Sequence, residues 1–123
     1  NDVLNFLVTK KPNLSYSSGK RFNYCNTNFV LIALIIEKVS GKTFPAFMQE
    51  QVFDPLQMKN TFVFTLADTA RATPTFKATG GFWQNDMTDG TYGDKNIYTT
   101  PQDLLKWDQA LYTEQFLSKA FLD

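Results

Sequence analysis

The sequence predicts a mainly α-helical domain with long ordered loops. Three observations support this fold class: helical spacing of apolar residues with capping signals in several segments, few alternating strand patterns, and a glycine-interrupted region at residues 65–99. At 123 residues the chain is long enough for one domain with a modest core and too short for two. We therefore interpret residues 1–123 as one domain.

Composition excludes several classes of function. Twelve acidic and twelve basic residues give a formal net charge of zero, so no field attracts nucleic acid or an anionic membrane. Histidine is absent, which rules out a Ser-His-Asp triad and the zinc sites that depend on imidazole. The longest apolar run, residues 29–36, is far shorter than the roughly 18–20 residues of a membrane helix. We predict no metal site, no cofactor, no nucleic-acid partner and no membrane span.

The first half of the chain contains two predicted helices. Residues 2–9 have the apolar pattern of a short amphipathic helix. Residues 27–40 form a helix capped by Asn26 or Thr27, and the sequence does not decide which. This helix is apolar all round and is therefore predicted to be central and buried, although its β-branched residues leave a strand as the alternative. Gly41 is its predicted left-handed end.

A third helix and a short strand follow. Thr43 is the predicted N-cap, and Pro45 fits the first turn, where a missing amide hydrogen costs nothing. The apolar residues at helical spacing predict a core face that ends before Pro55; they are Phe44, Phe47, Met48, Val52 and Phe53. Residues 62–64 are predicted to form a short strand.

The last third combines an irregular region with a well-marked helix. Residues 65–99 are interpreted as an ordered wall around a cleft, which Trp83 and its aromatic neighbours could line. Residues 86–94 are read as solvated charge. Thr100 and Pro101 predict a helix start, with a capping box to Asp103. Its predicted buried side carries Leu104, Leu105, Trp107, Ala110 and Leu111, and residues 115–122 could hold one more short helix.

The candidate functional element is the turn at residues 21–28, in which Tyr24 and Asn26 lie two residues apart and lead directly into the apolar helix. Taken alone, the pair could be a packed tyrosine and a capping asparagine. Without histidine, however, a Tyr–Lys pair can deprotonate a serine if the ammonium lowers the phenol pKa from about 10. Asparagine suits the neighbouring position because its amide both donates and accepts hydrogen bonds without adding charge.

Four blocks in order, residues 19–26, 35–42, 53–61 and 93–104, resemble the serine β-lactamase and penicillin-binding-protein superfamily, specifically its class C β-lactamase-like branch. The resemblance implies the helical lobe of the β-lactamase/transpeptidase-like α/β fold and a location outside the cytoplasm. It implies catalytic roles for Tyr24 and Asn26, with Asn26 also binding substrate. Trp83 is a further candidate for substrate binding. Three departures loosen the match: Ser18 replaces proline, Cys25 replaces serine and Gln57 replaces glycine.

The resemblance also implies two elements that we do not find in residues 1–123, a Ser-x-x-Lys and a Lys/His-x-Gly strand motif. Residues 17–20 match Ser-x-x-Lys formally, but Gly19 and the serine-rich turn oppose the helix that the motif needs. We therefore expect part of a larger serine hydrolase, inactive alone, whose partners are the remainder of the parent domain and a small-molecule or peptide substrate. That substrate is a β-lactam, a D-Ala-D-Ala peptide or an ester. The alternative is a non-catalytic helical binding domain for a peptide or glycan, with a cleft near Tyr24 and Trp83.

Overall fold

A computed structural model describes residues 2–83, 90–115 and 118–122. Helices dominate this part of the chain, as predicted, and one two-stranded antiparallel sheet accompanies them. The elements in chain order are α1 (Asp2–Lys10), α2 (Asn26–Ser40), α3 (Phe44–Met48), a π-helical turn (Gln49–Phe53), β1 (Phe62–Val63), a 3-10 turn (Leu66–Asp68), β2 (Ile97–Tyr98), α4 (Pro101–Leu111) and α5 (Lys119–Leu122). No helix in the described ranges is long and apolar enough to cross a membrane.

Helix α2 begins one residue earlier than predicted, and the predicted cap is wrong. Asn26 and Thr27 lie inside the helix, and the N-cap is Cys25. The Cys25 backbone is extended (φ −146°, ψ 110°), and its side chain makes no capping hydrogen bond. The end of the helix is confirmed: Gly41 has a φ of 70° and donates its N–H to the Glu37 carbonyl at 2.9 Å. Left-handed backbone of this kind favours glycine, which lacks the Cβ that would clash.

The prediction that α2 is buried on every face is wrong for this chain. Only Ala33 is fully covered, at 0% exposure, whereas Val39 is 82% exposed. The described elements pack on one side of the helix, where α3 lies. Four apolar residues of the helix remain exposed, and together they are called the α2 face: Phe29, Ile32, Ile35 and Val39.

Helix α3 and the turn after it carry the core, as predicted. The Thr43 hydroxyl accepts a hydrogen bond from the Ala46 N–H at 3.4 Å, which confirms the cap. The helix then widens into the π-helical turn, in which the Asp54 N–H bonds to the Gln49 carbonyl at 2.9 Å. The core cluster contains Ala33, Phe44, Phe53, Met58 and Val63, with Ile36, Met48, Val52, Leu56, Tyr92 and Trp107 packed against it.

The predicted strand at residues 62–64 is confirmed over Phe62–Val63, but the sequence did not reveal its partner, β2. Phe62 pairs with Tyr98 and Val63 with Ile97, and the Phe62 and Tyr98 rings stack at 5.5 Å. A two-residue strand is too short to show the alternation that identifies strands in a sequence. The pairing joins the core to the segment that leads into α4.

Helix α4 starts where predicted, but the capping box is only half formed. The Thr100 hydroxyl accepts from the Asp103 N–H at 3.3 Å. The Asp103 carboxylate turns inward instead of returning to the cap, and it is 1% exposed. It accepts hydrogen bonds from the Asn60 N–H at 2.7 Å, the Thr61 hydroxyl at 3.1 Å and the Lys106 ammonium at 2.7 Å. This carboxylate therefore connects α4 to the turn before β1.

The predicted buried side of α4 is partly wrong. Ala110 is buried and Trp107 packs against the core, but Leu104 and Leu105 are about half exposed. The apolar pattern predicted a leucine at the inward-facing position, but Asp103 occupies it. The carboxylate can be buried there because its hydrogen bonds compensate for the lost contact with water.

Candidate active site

The turn that carries Tyr24 and Asn26 is an extended segment that ends abruptly in a helix. The backbone before Asn26 is not helical, and the Asn28 N–H bonds to the Cys25 carbonyl at 3.2 Å to open the first turn of α2. Asn26 is thus the first residue of α2, and Tyr24 lies two residues before it. Because the turn is continuous with α2, the packing of the helix determines where the two side chains lie.

Both candidate side chains are accessible. Tyr24 is 69% exposed, and its ring lies 6.2 Å from the Phe29 ring at the start of the α2 face. Asn26 is also exposed. Within the described ranges, neither the Tyr24 hydroxyl nor the Asn26 amide makes a hydrogen bond, and no lysine is bonded to either. Their hydrogen-bonding groups are therefore available to a partner.

The residues on either side of Tyr24, Asn23 and Cys25, face a separate cavity. A cavity of about 610 Å³ between the loop after α1 and the start of α2 is lined by Asn23 and Cys25, among others, but by neither Tyr24 nor Asn26. Successive side chains of an extended backbone point to opposite sides, which explains the separation. Cys25 lies in the wall of this cavity as a half-buried free thiol.

The loop around Gly93 lies directly on the first turns of α2. A Cβ at position 93 would lie 2.6 Å from the Phe29 carbonyl oxygen and 2.8 Å from the Ala33 Cβ, and the Gly93 φ is 102°. Both the contact and the backbone angle therefore require glycine. The next residue, Asp94, is half-buried, and its Oδ1 is buried without a hydrogen-bond partner among the described residues. This corrects the interpretation of Asp94 as solvated charge.

Glu37 connects three elements at the other end of α2. Its Oε1 accepts hydrogen bonds from the Phe44 N–H at the start of α3 and from the Tyr92 hydroxyl, both at 2.8 Å. The Tyr92 ring stacks on Phe44 with ring centroids 5.5 Å apart. Burial first, and then the hydrogen bond and negative charge of Glu37, raise the pKa of Tyr92 to about 12. The phenol is thus held as a neutral donor, and this cluster fastens α2 to the segment before Gly93.

Trp83 lies in a cavity of its own. It is 56% exposed and lines a cavity of about 360 Å³ together with Phe64, Phe82 and Tyr98. The Trp83 backbone N–H donates to the Thr75 carbonyl at 2.7 Å, just after the antiparallel bridge between Phe76 and Phe82. Neither Tyr24 nor Asn26 lines this cavity. Residues 84–89 of the predicted cleft wall lie outside the described residues.

The formal Ser-x-x-Lys at residues 17–20 is not helical. Gly19 has a φ of 72°, and the Lys20 N–H bonds to the Ser17 carbonyl at 3.3 Å, which makes the segment a turn. Ser17 and a lysine one helical turn later are therefore not presented on one helix face. In the described part of the chain, no group of histidine, cysteine or carboxylate side chains is arranged to hold a metal ion.

One family of known proteins matches most of the chain. The family model described as Beta-lactamase matches residues 6–122. The chain belongs to the beta-lactamase family. Penicillin-binding protein 4* of Bacillus subtilis is 27% identical over 97% of this chain and 30% of its own length. The D-alanyl-D-alanine-carboxypeptidase/endopeptidase AmpH of Escherichia coli is 29% identical over 94% of this chain and 29% of its own length. The chain thus spans about 30% of the length of these two relatives.

Two solved structures show the same fold. An octameric penicillin-binding protein homologue from Pyrococcus abyssi superposes with a TM-score of 0.74 at 23% identity, over 98% of this chain and 28% of that one. A beta-lactamase/D-alanine carboxypeptidase from Pseudomonas syringae superposes with a TM-score of 0.68 at 16% identity, over 95% of this chain and 32% of that one.

The contacts of Gly93 and the burial of Asp94 were not predictable from the sequence pattern around them. A glycine's contact with a distant helix leaves no local pattern in the sequence. The presence of Gly93 and Asp94 in a block typical of the beta-lactamase family was the one signal that could have drawn attention to them.

Proposed function

We propose that this chain supplies the Tyr-x-Asn element of a beta-lactamase-like serine hydrolase that works through an acyl-serine intermediate. The observation that carries the proposal is the presentation of Tyr24 and Asn26: both are exposed at the start of α2, with hydrogen-bonding groups that no described residue occupies. Membership of the beta-lactamase family supports the same function.

Tyr24 would act in the base system that removes the proton of the nucleophilic serine. A phenol does this near neutral pH only if a nearby ammonium lowers its pKa, and a lysine is the partner that the chemistry requires. Asn26 would hold that lysine through its amide oxygen and a substrate amide through its amide nitrogen. Both roles need side chains that face an open site, and this chain presents both.

The nucleophile and the strand motif would lie outside residues 1–123. The single Ser-x-x-Lys in the chain is a turn, and the chain spans about 30% of the length of its relatives. Residues 1–123 would then be one part of a hydrolase domain, its helical lobe. The apolar α2 face supports this assignment, because an exposed surface of this kind is typical of a face that packs against further structure. The isolated chain would be inactive.

The substrate would be a β-lactam, a D-amino-acid peptide or amide, or an ester. Relatives at 27–29% identity include a D-alanyl-D-alanine carboxypeptidase/endopeptidase and a D-aminopeptidase. A protein with similar structure is a D-amino acid amidase solved with D-phenylalanine, with a TM-score of 0.63. The substrates in these protein names favour an acyl group derived from a D-amino acid as the substrate of this family member. An extracytoplasmic location, where such peptides are accessible, is part of the proposal.

A second candidate function is peptide or glycan binding at the Trp83 cavity. The supporting observation is an aromatic lining that includes Phe64, Phe82, Trp83 and Tyr98, two of which are more than half exposed. Exposed aromatic faces of this kind bind apolar side chains and sugar rings. In a hydrolase, this cavity would contribute substrate binding, so replacing Trp83 with alanine would raise KM more than it lowers kcat.

The experiment that tests the hydrolase is covalent labelling with a fluorescent penicillin, followed by mass spectrometry to locate the adduct. We expect the full-length hydrolase to be labelled on a serine outside residues 1–123 and the isolated chain to remain unlabelled. Stoichiometric labelling of the isolated chain would contradict the proposed division of the site, and an adduct on Ser17 would show that the turn serine is the nucleophile. A longer protein that binds peptide or glycan but forms no adduct with any acyl donor would favour the binding domain.

A further inference from the structure

Gly93 makes the closest approach of any described glycine to another element of the fold. A Cβ at this position would lie 2.6 Å from the Phe29 carbonyl oxygen, 3.1 Å from its carbonyl carbon and 2.8 Å from the Ala33 Cβ. The other described glycines have no neighbouring atom within 4 Å of such a Cβ. The loop backbone at Gly93 therefore rests on α2 with no space for a side chain.

The contact falls on the part of α2 that holds the candidate catalytic turn. The Phe29 carbonyl lies one turn after Asn26, and the Phe29 ring is the aromatic neighbour of Tyr24 at 6.2 Å. Ala33, one turn further along, is the fully buried residue of the helix. A displacement of this segment would therefore move both Tyr24 and Asn26.

The loop is itself fastened on either side of Gly93. Tyr92 bonds to Glu37 near the other end of α2 and stacks on Phe44. The Asn96 side-chain amide donates to the Thr91 carbonyl at 2.7 Å, which closes the loop around Gly93. The Phe64 N–H bonds to the Asn96 carbonyl at 2.7 Å and joins the loop to the end of β1. A loop held in this way would respond to a side chain at position 93 by pushing α2.

We propose that Gly93 is a positioning residue: the close contact of its backbone with Phe29 and Ala33 sets the position of the start of α2, which presents Tyr24 and Asn26. This inference rests on the proposed hydrolase function. Gly93 touches no reacting atom and acts only through α2. A misplacement of about 1 Å in a catalytic group can cost about a hundredfold in rate, so a clash of this size is sufficient to affect catalysis.

The test compares Gly93→Ala with Gly41→Ala in the full-length hydrolase. Gly41 lies at the opposite end of the same helix, also in left-handed backbone (φ 70°), but with open space around its Cβ position. The control therefore introduces backbone strain at α2 without the clash. The readout is the first-order rate constant of acylation at saturating substrate, which does not depend on the fraction of molecules that fold.

We expect Gly93→Ala to slow acylation by about tenfold or more, and Gly41→Ala to stay within about threefold of the unmodified enzyme. Equal rates for the two variants would overturn the proposal. If Gly93→Ala does not fold, Ala33→Val is the second variant, because it adds side-chain volume to the same contact from α2. An unchanged acylation rate in Ala33→Val would overturn the proposal equally.

Tyr24→Phe separates this inference from the function on which it rests. If Tyr24→Phe loses about a hundredfold and Gly93→Ala loses nothing, the hydrolase proposal stands and the positioning role falls. If Tyr24→Phe stays within about threefold, Tyr24 has no catalytic role, and any effect at Gly93 would have another cause.

Discussion

Replacement of Glu37 tests whether one carboxylate fastens α2 to α3 and to the loop before Gly93. In Glu37→Ala, the Phe44 N–H and the Tyr92 hydroxyl lose the acceptor that both reach at 2.8 Å. Hydrogen bonds to a charged group contribute about 1.5–3 kcal/mol each, so complete loss of both would cost about 3–6 kcal/mol. Glu37 is only half-buried, and water would satisfy part of what is lost. We therefore expect the free energy of unfolding to fall by about 2–3 kcal/mol.

Glu37→Gln is the matched control, because it keeps an oxygen acceptor at the same place and removes only the charge. We expect it to lose less than about 1 kcal/mol. Urea denaturation followed by circular dichroism gives both values, provided that the m-value is unchanged between variants. A loss below about 0.5 kcal/mol in Glu37→Ala, or equal losses in the two variants, would refute the claim that these hydrogen bonds join the elements.

Two predictions concern pH. Because the pKa of Tyr92 is raised from 10 to about 12, first by burial and then by Glu37, the folded state holds this proton more tightly than the unfolded state. Its stabilising contribution is complete below pH 10 and is lost between pH 10 and about 12. Tyr92→Phe should flatten that part of the stability profile, and an alkaline profile identical to that of the unmodified protein would contradict the assignment. For Asp103, the hydrogen bond from Lys106 leads the effects that lower the pKa below 3.8, with burial opposing, so its contribution is present above that value and is lost as pH falls further. Asp103→Asn should remove this acid dependence in thermal melts while the exposed Asp108→Asn leaves it intact, and equal acid profiles for the two variants would show that Asp103 is not responsible.

Local signals in the sequence were enough to place the helices. Thr43 and Thr100 cap α3 and α4 as predicted, and Gly41 ends α2 in left-handed backbone. These features depend on residues within one or two turns of each other, where side-chain chemistry and backbone preference act directly. Tyr24 and Asn26 also lie close together in the chain, but their catalytic roles follow from the family resemblance and stay a prediction.

Contacts between distant residues could not be predicted. Asp103 bonds to Asn60 across 43 positions, and its inward turn overrides the apolar pattern of α4. The contact of Gly93 with α2 and the pairing of β1 with β2 likewise join separate parts of the chain. The burial predicted for the α2 face also depends on neighbours, since an apolar face is covered only where another element packs on it.

The measurement that tests the proposed function most directly is the acylation rate of Tyr24→Phe in the full-length protein. Tyr112→Phe is the control, because it removes the same hydroxyl from an exposed tyrosine after α4. Loss of a general base lowers the rate by about a hundredfold or more, and this is the result that we predict for Tyr24→Phe, with Tyr112→Phe unchanged. A loss smaller than about threefold in Tyr24→Phe would remove Tyr24 from the mechanism and contradict the proposal.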